Sequence, residues 1–369
     1  MELKRFTLFN PEIDMERPFT TSLRRVERLE AVLVKIETDN DLTGWGEAPT
    51  SPQVTGETPA SAIAVLDTII PLLLEQDPRN RESIHALMGE LVTGNTASRA
   101  AIDIAVHDLL GKVWGVPLWQ LFGGSRSERI STDYTVSLAE PDEMAKRATE
   151  LVKEGFKTLK VKLGEEVELD RERLMAIRNA IPDEVSIRID ANQGWKRIEA
   201  GEMAELSSTL NVQFIEQPLP GEDLKGMSQL RDRSPVPIMA DESLGSPADA
   251  LKIAELGAAD YLNIKLSKCG GFWPAMKIAA IAESAQLPCM VGGMSSTDLL
   301  ATAASHFAAS QDVVRFRDLD MGTDISDFVI AKGGSKLKGT DRVMSGGNGL
   351  GIEKIDEAVI GDPIEVYEV

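Results

Sequence analysis

Two cysteines in 369 residues, Cys269 and Cys289, sit in separate segments, so the chain has neither a disulfide framework nor a metal-binding cysteine spacing. Histidine is almost as scarce: His85, His107 and His306 all fall in helix-like segments and read as structural residues, not as catalytic bases. Positive charge is also short, since 39 Lys and Arg against 59 Asp and Glu leave a formal charge of -20. That field repels nucleic acid and anionic membrane surfaces, and the short basic cluster Leu23 to Arg28 cannot reverse it. Long apolar runs are missing too. The most apolar stretch, "AIAVLDTIIPLLLE", is broken by Asp67 and Pro71, and "MELKRFTLFNPEID" has no leader-like core, so the expected location is cytoplasmic. No strand carries the G-x-G-x-x-G turn of a dinucleotide fold.

What is present is a regular alternation. From about residue 130, short apolar runs bounded by Gly, Pro or Asn alternate with amphipathic segments such as "PDEMAKRATELVKEGF" and "PADALKIAELGAA". The strand candidates are "STDYTVS", "TLKVKLG", "SIRIDAN", "QFIEQP", "IMADES", "YLNIKLS", "CMVGGMS" and "VRFRDLD". From the second onward they recur at roughly 24 to 30 residues, the scale of one βα unit. The fold class is therefore α/β, an eight-stranded (β/α) barrel or a close variant. Residues 1–125 read differently, with a hairpin in "LEAVLVKIETDNDLTGWGEA" followed by helices, and form an expected α+β domain. "QLFGGSRSERI" is the expected linker, residues 126–324 the barrel, and residues 325–369 a segment returning to the first domain.

Active sites of such barrels lie at the C-terminal strand ends. Polar residues late in apolar strands are Lys160 and Lys162 on the second, Asp190 and Asn192 on the third, Glu216 on the fourth, Asp241 on the fifth, Lys265 on the sixth, and Asp318 and Asp320 on the eighth. Carboxylates from three successive strand ends, without His or Cys, suit a hard divalent cation such as Mg²⁺. The competing view is that a lysine neutralises each of them. Lys160 and Lys162 share a strand face, and Lys265 faces them across the barrel, so a metal and a substrate fit between two lysines. A neighbouring cation is expected to lower the lysine pKa towards proton abstraction. Two snorkelling lysines on a half-exposed strand are the alternative.

The motifs "KVK", "RIDANQGW", "FIEQPLP", "MADES" and "NIKLSKCGG", with "GWGEAP" and "AIDIAVHDLLGKVWGVPLWQLFGG" upstream, closely resemble the enolase superfamily, muconate-lactonizing-enzyme subgroup. The resemblance implies a (β/α)7β barrel with an α+β capping domain. Asp190, Glu216 and Asp241 would be the Mg²⁺ ligands, and Lys162 and Lys265 the acid/base pair. Lys160 would face the enediolate left when a proton α to a carboxylate is removed, and Asn192 would support the ligands.

In "RFRDLD", Asp318 and Asp320 resemble the pair that binds the substrate ammonium in dipeptide epimerases. A solvated strand end or a helix cap is the alternative. "PFTTSLRRV" resembles the mobile capping loop of L-Ala-D/L-Glu epimerases and aligns Arg24 with the arginine that meets the glutamate side chain; a solvated arginine explains it equally well. Thr135 and Met294 are expected among the substrate contacts. Ser295 and Ser296 depart from the Ala-Glu pattern, as does "DMGTDIS".

The expected function is a Mg²⁺-dependent dipeptide epimerase, acting on a small-molecule dipeptide as a homo-oligomer. The alternatives are an o-succinylbenzoate synthase, an N-acylamino acid racemase or a cycloisomerase, and in another class a catalytically dead ligand-binding barrel.

Overall fold

Residues 3–49 alternate apolar and polar positions and pair as antiparallel strands β1 (Leu3–Phe9), β2 (Glu12–Thr20), β3 (Arg25–Thr38) and β4 (Thr43–Pro49). The computed structural model describes residues 1–124 and 128–369, so the expected boundary at residues 125 and 126 lies outside the described residues. Helices α1 (Pro59–Leu73), α2 (Arg81–Leu91) and α3 (Thr96–Trp114) follow, then the short α4 (Leu118–Leu121). Helix α3 is buried around nearly its whole circumference from Ala97 to Gly111, as a helix without a polar face must be. It presses on β4 through the two glycines of "GWGEAP". A Cβ on Gly44 would lie 2.2 Å from the Ala105 carbonyl oxygen, and one on Gly46 1.9 Å from that of Ala101.

After β5 (Arg129–Ser131) come the barrel strands: β6 (Tyr134–Val136), β7 (Thr158–Lys162), β8 (Ser186–Asp190), β9 (Val212–Glu216), β10 (Ile238–Ala240), β11 (Tyr261–Ile264), β12 (Cys289–Val291) and β13 (Val314–Arg317). These are the eight strands that the sequence predicts, all parallel and each hydrogen-bonded to the next in chain order. Helices α5 (Pro141–Glu154), α6 (Val167–Ala180), α7 (Arg197–Thr209), α8 (Leu224–Arg231), α9 (Pro247–Leu256), α10 (Leu266–Cys269), α11 (Phe272–Ser284) and α12 (Asp298–Ser310) fill the connections. No barrel helix follows β13, which gives the (β/α)7β pattern. The first and last strands meet through single hydrogen bonds: the Asp133 N–H donates to the Arg317 carbonyl (3.3 Å) and the Leu319 N–H to Thr132 Oγ1 (2.8 Å).

Beyond Asp324, β14 (Ile330–Gly333), β15 (Ser335–Lys338), β16 (Asp341–Met344) and β17 (Ile352–Ile355) pack beside the barrel, where β16 pairs with β5. After the short α13 (Glu357–Ile360), β18 (Glu365–Glu368) joins the N-terminal sheet along β1. Among the described residues no helix is long and apolar enough to cross a membrane.

Buried carboxylates tie the N-terminal layer to the barrel helices. Glu47 on β4 accepts from the Thr297 N–H (2.8 Å), Thr297 Oγ1 (2.7 Å) and the Leu300 N–H (2.9 Å), and so satisfies the N-terminus of α12. Asp103 on α3 accepts from the Phe272 N–H at the start of α11. Asp108 takes the N–H groups of Trp45 (3.1 Å) and Leu350 (2.8 Å). Replacing Glu47 by Ala is expected to lower the unfolding free energy by about 3 kcal/mol, because three buried donors lose their acceptor. A urea melt of Glu47→Ala that coincides with that of the parent protein would contradict this role.

Candidate active site

Inward-facing residues of the barrel alternate with period two and form layers. The lowest is apolar: Phe214, Met239 and Met290 are buried there with Tyr261 and Phe316 packed against them. The Arg188 guanidinium stacks over Phe214 and Phe316 at 5.3 and 5.1 Å and donates to Asp133 Oδ2 at 2.6 Å. Further along the strands the side chains turn ionic, with Lys160 and Lys162 on β7, Asp190, Glu216 and Asp241 at or just past the ends of β8, β9 and β10, and Lys265 and Asp318 past β11 and β13. Gly292 leaves the space: a Cβ there would lie 2.9 Å from Asn263 Oδ1 and 3.2 Å from Asp318 Oδ2.

Asp190, Glu216 and Asp241 are fully buried and each offers an oxygen within 4.8 Å of the others. Lys160, 1 % exposed, is the counter-ion of two of them and of Asp318, with Nζ 3.1 Å from Asp190, 2.9 Å from Glu216 and 2.7 Å from Asp318. Lys162 donates to Asp190 Oδ2 (2.6 Å) and Asn192 Oδ1 (3.2 Å), and Lys265 to Asp241 Oδ2 (2.6 Å). The sequence arguments for a metal site and for lysine neutralisation therefore meet in one cluster. Glu216 Oε2 and Asp241 Oδ1 receive no hydrogen bond of acceptable geometry, although Lys160 and Lys268 stand at ion-pairing distance. An all-oxygen donor set with such orphaned atoms fits a hard divalent cation of the Mg²⁺ kind.

The charges settle unevenly. Burial raises the Asp190 pKa, but Lys162 and Lys160 outweigh it and hold it at about 2. At Glu216 burial wins and, with Asp190 and Asp241 beside it, pushes the carboxyl up to about 8. The carboxylates act against the downward shift expected from a neighbouring cation and Mg²⁺. Burial draws Lys160 and Lys265 down, yet the carboxylates outweigh it (Asp318, Glu216 and Asp190 around Lys160; Asp241, Glu216 and Asp190 around Lys265), and both pKa values lie above the ordinary lysine value.

Above this layer opens a cavity of about 320 Å³, lined from the barrel by Lys162, Lys265, Asn192, Thr135, Met294, Asp318 and Asp320, and from the N-terminal loops by Phe19 and Arg24. Lys160 is not part of that lining; it lies beneath it, buried. Asp320 Oδ2 accepts the Thr135 N–H at 2.7 Å. Burial, then Asp318, push its carboxyl up to about 6. The Arg24 guanidinium donates to Ser51 Oγ (2.6 Å), and burial lowers its pKa. Among the described residues no carboxylate lies within ion-pairing distance of it.

Five polar residues of this region escaped the sequence argument. Arg188 and Asn263 stand two residues before Asp190 and Lys265 on the same strand faces, a signal that was there to be read. Asn263 Nδ2 donates to Glu216 Oε1 at 2.7 Å. Asp133 precedes β6 and its carboxyl is pushed up to about 8, by burial first and then by Asp318. Lys268, on α10, pairs with Asp241, and Glu242 accepts from Asn192 Nδ2 at 3.1 Å. Burial, then Asp241 and Asp190, push the Glu242 carboxyl up to about 7.

At pH 7 the raised Glu216 carboxyl is largely protonated, so a cation entering the triad should displace about one proton, and its affinity should weaken up to tenfold per pH unit below about 8. Calorimetric titration with MgCl₂ in buffers of different ionisation enthalpy measures that proton. Binding with no proton released at pH 6 to 7 would refute the coupling.

Comparison with known proteins gives the following. Residues 4–123 match the family described as mandelate racemase / muconate lactonizing enzyme, N-terminal domain, and residues 143–359 the enolase C-terminal domain-like family. The chain is similar to the L-Ala-D/L-Glu epimerase of Clostridium acetobutylicum, 37% identical over 359 residues that cover 96% of this chain and 100% of the relative. It is 36% identical to the N-succinyl-L-Arg/Lys racemase of Bacillus cereus, covering 85% of this chain and 86% of that one. The dipeptide epimerase of Cytophaga hutchinsonii, solved with Mg and the dipeptide D-Ala-L-Val, superposes with a TM-score of 0.95 at 32% identity, covering 100% of this chain and 99% of that one.

Proposed function

The chain belongs to the mandelate racemase / muconate lactonizing enzyme family of the enolase superfamily and is an isomerase, and from that premise we propose a Mg²⁺-dependent dipeptide epimerase. The observation that carries this reading is the placement of Lys162 and Lys265. Both line one cavity, yet they are anchored to different carboxylates of the triad, Asp190 and Asp241. Two bases on opposite sides of one α-carbon are what inversion of configuration requires.

In this mechanism Asp190, Glu216 and Asp241 would hold Mg²⁺, which when bound supplies positive charge to the substrate's C-terminal carboxylate. Removing an α-proton beside a carboxylate builds a second negative charge, and only preorganised cations make that accessible. Lys160, fixed by three carboxylates, adds its charge from beneath without taking part in proton transfer. One of Lys162 and Lys265 removes the α-proton as a neutral amine. The other, an ammonium, returns a proton to the opposite face. Asp318 and Asp320 would bind the substrate's N-terminal ammonium at the far end, with Thr135 and Met294 in the cavity wall beside it. Arg24, half-buried and among the described residues without a carboxylate partner, supports an acidic side chain on the C-terminal residue, as in L-Ala-D/L-Glu.

Incubation of L-Ala-L-Glu with enzyme and MgCl₂ in D₂O should place deuterium at the glutamate α-carbon of both epimers. Lys162→Ala and Lys265→Ala should each slow epimerisation at least about a hundredfold. Either variant epimerising at the parental rate would remove the two-base assignment, and N-succinyl amino acids turning over faster than every dipeptide tried would move the substrate class to the racemases.

The ammonium contact adds a pH test. Because the Asp320 carboxyl is pushed up to about 6, protonation below that pH removes the anion, and KM for the dipeptide should rise up to about tenfold per pH unit there. In Asp320→Asn, KM should be high at neutral pH already and should lose that dependence. A KM equally low in both proteins across pH 5 to 7 counts against the contact.

A further inference from the structure

The two lysines are wired differently. Lys265 Nζ donates, among the described residues, to the Asp241 carboxylate. Lys162 has a second acceptor, Asn192 Oδ1, and the amide that carries this oxygen is itself held from behind: Asn192 Nδ2 donates to Glu242 Oε1 at 3.1 Å. Asn192 sits past the end of β8, buried, with a left-handed backbone (φ +42°) and its own N–H on Asp190 Oδ1 at 2.9 Å. A non-glycine residue keeps such a conformation only where its surroundings over-determine it.

The chemistry of the chain Glu242, Asn192, Lys162 has one sense. When ionised, Glu242 has oxygens that only accept, so it selects the NH₂ end of the Asn192 amide and turns its carbonyl oxygen towards Lys162, the orientation that the lysine N–H also requires. Flipping the amide would set NH₂ against the lysine nitrogen and oxygen against oxygen. A neutral lysine amine carries two N–H bonds and one lone pair. With Asp190 and Asn192 taking the two N–H bonds, the lone pair is directed away from both, into the cavity that Lys162 lines. Remove the Asn192 acceptor and the amine rotates about its last carbon–nitrogen bond, with the lone pair no longer aimed.

We propose that Glu242 is a positioning residue that acts through Asn192 to aim the Lys162 amine, and that it thereby serves proton transfer on one face of the substrate and not on the other. This rests on the two-base epimerase reading. The experiment follows α-proton exchange into D₂O by NMR or mass spectrometry, starting separately from L-Ala-L-Glu and L-Ala-D-Glu. The epimer whose exchange Lys162→Ala abolishes is the one that Lys162 deprotonates.

In Glu242→Leu, exchange of that epimer should fall about tenfold to a hundredfold, the cost of a misaligned reacting group, while exchange of the other epimer stays within about twofold. Glu242→Gln, which can still offer Asn192 an oxygen, should retain both rates within about threefold. Should Glu242→Leu prove insoluble, Asn192→Ala carries the same test with the same one-sided loss. In the Asn192→Ala background, Glu242→Leu should have no further effect, since the link is already cut.

In Glu242→Leu, Mg²⁺ affinity measured by calorimetry should stay within about threefold of the parent, short of the roughly 10- to 100-fold loss that follows removal of a group bonded to a metal ligand, since the Glu242 side chain bonds Asn192. Equal loss of exchange from both epimers, or a loss of Mg²⁺ affinity that accounts for the rate change, would overturn the inference and leave the two-base reading standing. Absence of exchange from either epimer in the parent enzyme would overturn that reading, and the inference with it.

Discussion

Everything in the barrel mouth answers to one constraint, an excess of buried negative charge around a single ammonium. Lys160 contacts three carboxylates at once, and two of them, Asp190 and Glu216, belong to the triad. Seven carboxylates (Asp133, Asp190, Glu216, Asp241, Glu242, Asp318 and Asp320) meet five cations (Lys160, Lys162, Arg188, Lys265 and Lys268) around the strand ends, an imbalance of two charges. Unpaired charge in such a setting is costly. Part of the imbalance is absorbed by protons, which is why Glu216 and Asp133 are pushed up to about 8 while Asp190, better supplied with lysines, is held at about 2. A divalent cation carries two positive charges and can take the place of such protons, so the pressure that distorts these carboxyls is the same pressure that makes the triad a metal site.

The apolar layer below keeps the cluster from relaxing. Phe214, Met239 and Met290 are fully buried there, and Arg188 lies over Phe214 and Phe316 with its guanidinium paired to Asp133. From above, the cover comes from another part of the chain. Phe19 and Arg24, in and just after β2, close over the cavity, with the Phe19 ring 5.7 Å from Lys162 Nζ. Chemistry and cover are thus built by different segments, and the buried carboxylates Glu47, Asp103 and Asp108 fix one against the other by taking N–H groups across the junction.

Sequence periodicity reaches the first of these levels and stops before the others. Eight apolar runs at βα spacing are enough to place the barrel strands, and a polar residue late in a strand is enough to nominate Lys160, Lys162, Asp190, Glu216, Asp241, Lys265 and Asp318. Both signals are local. Glu47 and Thr297 are 250 residues apart, and nothing near either announces the pair. Glu242 stands next to a strand-end carboxylate, on the opposite side in period-two counting, so alternation argues against it; the turn after β10 brings it to Asn192 all the same. The pull of the carboxylates on the lysine pKa values is out of local reach for a related reason. Two lysines on one strand are visible as neighbours in sequence, whereas the carboxylates that outweigh their repulsion arrive from four other strands.

The different wiring of the two lysines also bears on how such an enzyme reveals itself. In the proposed mechanism epimerisation in either direction uses both lysines, one as base and one as acid, and the equilibrium constant between the epimers is a property of the substrate alone. Weakening one lysine therefore slows the forward and reverse reactions in proportion, and net turnover cannot say which face was damaged. Exchange with solvent differs, because it needs only the base on the face where the proton leaves and returns. An asymmetry built into the site, with Lys162 held by a carboxylate and an oriented amide and Lys265 by a carboxylate, is silent in turnover and visible in exchange. Two sites with equal rates of epimerisation can thus partition a common enediolate differently between their faces, and the hydrogen bonds behind each lysine set that partition.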